Sequence, residues 1–197
     1  MKRREALKNL GLSFGYVLAT PVAISLLQSC KADLNQWKPL FFSVEEGLVI
    51  TNLIDLMLPK TALTPGALEV NVPEFLDLYA SKVYTREQQD SYKKEIQTII
   101  NELLISGNNV SKLSTDDYDN LLSKYLKADA KTRRSFKNGK STNVVFNSLL
   151  KLRNTSVWAY KTSELIGETV LAYDPIPGKQ QGCISLDEAT GGKAWSL

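Results

Sequence analysis

The stretch TREQQDSYKKEIQTIINELLISGNN, residues 85–109, decides the fold. Thr85 followed three residues later by Gln88 is a capping box, in which each side chain satisfies a backbone N–H that the first helical turn leaves unpaired. Tyr92, Ile96, Ile99, Ile100, Leu103 and Leu104 then recur every three or four residues, the period of a helix with one apolar face. Gly107 and the two Asn after it end the run. No strand alternation competes with this pattern.

The same signals repeat on either side. Upstream, Ser43 and Glu46 form a second capping box before Ile50, Leu53, Ile54, Met57 and Leu58, and Pro59 stops that helix. Lys60 to Val72 reads as a loop around the turn Thr64-Pro65-Gly66-Ala67. Pro73 suits the first turn of a helix through Phe75, Leu76, Leu78, Tyr79 and Val83. Downstream, Ser114 opens a helix with Asp116 and Asp117 in its first turn, carrying Tyr118, Leu121, Leu122, Tyr125 and Leu126. Residues 131–140 are basic and read as solvated surface. A further helix is expected over Thr142–Trp158, and another from Thr162 or Ser163 to Leu171. The reading is all-α: a single compact domain of five to seven helices with an extended C-terminal tail. That tail starts at Tyr173-Asp174-Pro175-Ile176-Pro177-Gly178, because the residue before each Pro is pushed out of the helical region.

Composition narrows the chemistry. In 197 residues there is no His, which removes the commonest general base and zinc ligand, and two Cys cannot alone build a four-thiolate metal site. Neither a G-x-G-x-x-G fingerprint nor a C-x-x-C-H haem site occurs. The paired acids Glu45/Glu46 and Asp116/Asp117 sit in helix first turns, where capping and the helix dipole account for them. Lys2, Arg3, Arg4 and Lys8 against Glu5 give residues 1–30 the whole chain's net charge of +3. The remainder is balanced and shows no nucleic-acid face.

Residues 1–30 read as an address. A basic start is followed by Asn9–Cys30 without a charge, and Leu10–Leu27 is apolar but diluted by Gly, Ser, Thr and Pro21. Arg3-Arg4 with the trailing Leu7 and Lys8 resembles a twin-arginine export signal; a general secretory signal is the other reading. Leu27-Gln28-Ser29-Cys30 resembles a lipobox, which would make Cys30 the lipidated first residue of the mature chain; an uncleaved membrane helix is the alternative. Either way the body is expected outside the cytoplasm and tethered, at a periplasmic or cell-envelope membrane. The expected organisation is a leader over 1–30, a tether over 31–42, a helical domain over 43–186 that includes the tail 173–186, and an end segment 187–197.

Two stretches carry a family resemblance. The first runs from Leu53-Ile54-Asp55 through Pro59, Thr64-Pro65-Gly66-Ala67 and Val72-Pro73-Glu74-Phe75-Leu76-Asp77. The second is Ala159-Tyr160-Lys161-Thr162-Ser163-Glu164, then Tyr173 to Gly178, then Gly182-Cys183. Across most of 43–186 their order resembles the gluconate 2-dehydrogenase subunit 3 family, with Lys179-Gln180-Gln181 departing where an aromatic residue is expected. The resemblance implies a small accessory subunit without catalytic residues or a cofactor of its own. It would escort and anchor a flavoprotein dehydrogenase of the glucose–methanol–choline type that holds FAD, with a cytochrome c subunit carrying haem as a further partner.

Tyr160, Tyr173, Pro175, Pro177 and Gly178 are the candidate interface residues, with core or tail packing as the other reading. Cys183, the thiol left once Cys30 is lipidated, is read either as a disulfide to the catalytic partner or as an inert buried side chain. Two rival functions remain at this level. One is a stand-alone helical envelope lipoprotein acting as a binding module. The other is an independent enzyme, for which the sequence offers only scattered carboxylates.

Overall fold

A computed structural model describes residues 37–106, 109–138, 143–176, 178 and 182–196. The α-helices of these residues all lie in one unit, Pro39–Leu197. They are α1 (Val44–Met57), α2 (Val72–Lys82), α3 (Arg86–Leu103), α4 (Thr115–Tyr125), α5 (Ala130–Asn138), α6 (Val144–Thr162) and the short α7 (Leu186–Thr190). Among the described residues there is no strand, only an isolated bridge between Ala172 and Trp195. The all-α reading therefore holds.

The caps form where the sequence places them. Ser43 Oγ accepts from Glu46 N (3.1 Å), and Glu46 Oε2 accepts from Ser43 N (2.7 Å). Thr85 with Gln88 and Ser114 with Asp117 do the same for α3 and α4. Each box satisfies two donors that the helix leaves unpaired. Inward from the caps, the apolar faces meet. α3 lies along α6, and α1 contacts α2, α3, α4 and α6. Ile50, Leu53 and Ile54 of α1, Ile96 and Ile99 of α3, Tyr118 of α4, and Phe146, Leu149 and Leu152 of α6 are fully buried. Each such apolar side chain contributes roughly 1.5–3 kcal/mol through burial.

One buried charge organises the entry to α1. Asp77 of α2 is only 1% exposed. Its carboxylate accepts from three successive backbone N–H groups, those of Leu40 (2.6 Å), Phe41 (3.0 Å) and Phe42 (2.8 Å). A carboxylate can be buried when its oxygens are this fully hydrogen-bonded. The last residues of the expected tether are thus docked on the helical body, and Phe42 enters the core beside Tyr92.

Several elements differ from the sequence reading. The helix expected to end at Trp158 continues to Thr162, since Ser156 and Ala159 extend the buried face of α6. Beyond it lies a π-helical turn, Ile166–Val170, rather than an α-helix running to Leu171; the wider turn accompanies burial of Ile166. The basic segment after Asp129 is helical as α5. Its one aromatic, Phe136, lies tilted between Tyr125 and Phe146, too sparse an apolar signal to announce a helix. Finally, Ser185 caps α7 across the boundary between the expected tail and the end segment 187–197, and Gly191 closes it with positive φ.

Ion pairs tie α3 to its neighbours. Glu102 accepts from Lys124 Nζ (2.7 Å) and from the Tyr125 hydroxyl (2.8 Å) of α4. Lys151 of α6 reaches Glu95 (2.8 Å), and Lys93 reaches Glu46 (3.2 Å). The Lys124 hydrogen bond holds the Glu102 carboxyl below the usual carboxylate range.

Two outcomes are expected in denaturant unfolding. Asp77→Ala orphans three N–H donors, that of Phe42 buried and those of Leu40 and Phe41 partly so, and should cost about 3 kcal/mol, with Asp77→Asn losing less because its carbonyl oxygen still accepts. Because Glu102 binds its proton more weakly when folded, its contribution is complete above the unfolded carboxylate pKa and is lost as pH falls through the lower folded value. Wild-type stability should therefore decline on acidification below about pH 4.5. Glu102→Gln should show a shallower decline.

Candidate partner interface

The loop between α1 and α2 is built to hold one shape. Ala67 N donates to Leu58 O (2.9 Å) and Val72 N to Ala67 O (3.0 Å), closing both ends of the loop on buried Ala67. Glu69 accepts from Gly66 N (2.9 Å) and pairs with Lys60. A Cβ at position 66 would lie 2.8 Å from Lys60 N, so only glycine fits there without a backbone shift. Tyr160, at the end of α6, donates its hydroxyl to Pro65 O (2.6 Å). The turn and Tyr160, drawn from two distant stretches of sequence, are thus one contact. Tyr160 is half-buried, with its polar end engaged inside the chain.

Beside this loop α2 and α6 present aromatic surface. Phe75 and Leu78 face outward on α2, and Trp158 on α6 lies 5.6 Å from Phe75 between ring centroids. Tyr79 sits against Trp158, then Tyr84, then Tyr92, so the rings pass from surface to core at 5.2–5.8 Å steps. Burial pushes the Tyr92 phenol far above its ordinary pKa. The sequence shows these outward residues only as part of a helix face. Apolar side chains surround too much of α2 for all of them to turn to one core, and that width is the available signal.

The larger feature is the C-terminal excursion. Ala172 N donates to Ala194 O and Ser196 N to Ala172 O, both at 2.9 Å, so the chain leaves the body at Ala172 and returns beside it. No described residue between is buried. Yet Tyr173 (50% exposed), Ile176 (83%), Leu186 (65%) and Trp195 (53%) are large and apolar. Pro175 and Gly178 are exposed on it too. Cys183 is an exposed free thiol with φ +57°, which removes the inert buried reading of this residue. Tyr173, Pro175, Gly178 and Cys183 therefore share one unpacked segment, and Tyr160 belongs to the body. Ile176, Leu186 and Trp195 are interface candidates that sequence reasoning misses; apolar residues in a non-helical, Pro- and Gly-rich segment are the clue. Pro177, Arg3, Arg4 and Cys30 lie outside the described residues.

One acid of each pair has structural employment. Glu46 serves its cap and Lys93, and Ser114's backbone N–H lowers the Asp117 carboxyl pKa. Among the described residues no group of three His, Cys, Asp or Glu side chains could hold a metal ion, and no helix is long and apolar enough to cross a membrane.

These features define an all-helical domain with an unpacked apolar excursion at its C-terminal end. The family model for gluconate 2-dehydrogenase subunit 3 matches residues 44–178, from the first residue of α1 into the excursion, and the chain belongs to that family. Comparison with curated proteins and with solved structures returns no significant match.

Tyr160→Phe removes a single hydrogen bond while keeping the ring. It should lower unfolding stability by about 1 kcal/mol and speed proteolysis within residues 60–71. Unchanged stability and cleavage would show that the Pro65 contact does not hold the loop.

Proposed function

We propose that this chain is the non-catalytic accessory subunit of an exported, FAD-dependent dehydrogenase complex acting on a sugar, sugar acid or other alcohol. Membership of the subunit 3 family supports the kind of assembly. The observation that carries the contact role is the excursion from Ala172 to Trp195, which leaves Tyr173, Ile176, Leu186 and Trp195 uncovered. Covering one large apolar side chain contributes roughly 1.5–3 kcal/mol, so a few of them suffice as the centre of an interface. The partner would be the catalytic flavoprotein, which would hold FAD; a cytochrome c subunit would carry haem.

In this reading the chain works by contact. Tyr173, Pro175, Pro177, Gly178 and Cys183 meet the folded catalytic subunit, with the Cys183 thiol exposed for a disulfide to it. Arg3 and Arg4 lead both chains through the twin-arginine route, and lipid on Cys30 tethers them at the cell-envelope membrane.

The test is a mild-detergent pull-down of the tagged chain from its own cells, with an absorption spectrum of the eluate. A stoichiometric larger chain with a flavin band is expected. Ile176→Ser with Leu186→Ser should reduce that chain at least tenfold without loss of helical circular dichroism, because neither side chain packs on the body. Arg3→Lys with Arg4→Lys should leave both chains in the cytoplasm. A colourless single chain under partner-preserving conditions would sink the reading.

A further inference from the structure

The described residues contain four arginines, Arg86, Arg133, Arg134 and Arg153. Three of them, the exposed Arg133 and Arg134 of α5 and the half-buried Arg153 of α6, line one cavity of about 230 Å³ that opens to solvent. Its apolar lining comes from Leu126, Ala130, Phe146 and Leu150. Every ion pair among the described residues uses a lysine: Lys60, Lys93, Lys124, Lys127 or Lys151. None of the three cavity arginines has a carboxylate partner there. Among the described residues Arg153 donates only to the side-chain oxygen of its neighbour Asn154 (3.1 Å from Nη2). The nearest acid along the chain, Asp129, accepts instead from Lys131 N, Thr132 N and the Thr132 hydroxyl at the start of α5. The Thr132 hydroxyl holds its carboxyl below the usual range.

Three cations around one cleft, with no carboxylate among them, raise the local positive potential and favour an anion there. Guanidinium is also the side chain best shaped to grip phosphate oxygens in pairs, and three forks match a dianion better than a carboxylate's single charge. The apolar lining adds a second requirement, for a ligand that brings hydrocarbon with its charge. The volume is that of about eight waters, enough for a phosphate with a small apolar body.

We propose that the cavity between α5 and α6 binds the phosphate group of an apolar phosphate ester, with Arg133, Arg134 and Arg153 on the oxygens and Phe146 and Leu150 against the hydrocarbon. A soluble aryl or alkyl phosphate and an anionic phospholipid headgroup share that chemistry. This assignment rests on the cavity alone and does not depend on the dehydrogenase-subunit reading.

The test uses the full chain, purified in mild detergent, with two probes: phenyl phosphate followed by calorimetry, and equimolar phosphatidylcholine–phosphatidate vesicles compared with phosphatidylcholine alone. Arg153→Gln should weaken phenyl phosphate binding about tenfold, and the triple variant R133Q/R134Q/R153Q about a hundredfold or more. Arg153→Lys, which keeps the charge but loses the fork, should fall between wild type and Arg153→Gln. A second triple variant, K94Q/K112Q/K193Q, removes equal charge from exposed positions away from the cavity and should bind as wild type. Circular dichroism checks that each variant is folded.

Arginine-dependent binding to phosphatidate vesicles assigns the site to lipid. Arginine-dependent binding to phenyl phosphate, with vesicle binding equal in wild type and variant, assigns it to a soluble ester. The proposal is overturned if the arginine triple binds both probes as wild type does, or if the lysine triple loses as much. It is equally overturned if the arginine triple keeps both probes and loses only a co-purifying protein.

Discussion

The fold depends on how Asp77 is accommodated. A carboxylate excluded from water is tolerable only if its oxygens are hydrogen-bonded, and here the donors are the backbone N–H groups of Leu40, Phe41 and Phe42. That requirement fixes the chain immediately before α1. Ser43 is then placed to cap the helix, Phe42 is delivered into the core, and α1 is set against α2 before any apolar contact is counted. The ring of Phe42 meets Tyr92 of α3, so one buried side chain on α2 positions groups on three elements. The other inter-helix charges, Glu46–Lys93, Glu95–Lys151 and Glu102–Lys124, are more exposed and correspondingly weaker.

How much the sequence discloses depends on the range of each interaction. Caps at Ser43, Thr85 and Ser114 work over three residues, and helix faces repeat over three or four, so both stand in the one-dimensional pattern. Asp77 acts across 35 to 37 residues and looks like any acid on an amphipathic helix. Tyr160 reaches Pro65 across 95 residues, and nothing near either announces it. α5 escapes sequence reading because a helix whose exposed face is arginine and lysine and whose docking face is Phe136 has almost no apolar period. The π-turn at Ile166–Val170 accompanies burial of Ile166 in the assembled body, which no local pattern records.

The candidate interface is legible in part for the same reason. Proline before and after Ile176 marks an extended segment, and an extended segment of this composition draws attention to Tyr173, Pro175 and Cys183. Whether those side chains pack inward depends on what lies beside them, which no local pattern records. The exposed surface divides into distinct kinds of territory: aromatic at Phe75 and Trp158, cationic at Arg133, Arg134 and Arg153, and mixed aliphatic and aromatic along the excursion. Each suits a different class of contact.

The return of the chain to Ala172 has a thermodynamic consequence. Had the segment after Ala172 ended in a free tail, seating it on another molecule would require an open chain to surrender its freedom at the moment of association. Two backbone hydrogen bonds make it a closed loop instead. For a loop of roughly 20 residues the closure entropy is on the order of 2–3 kcal/mol, and it is met when the domain folds. Whatever settles on Ile176 and Leu186 therefore meets a ligand partly preorganised, and keeps a larger share of the contact energy as affinity.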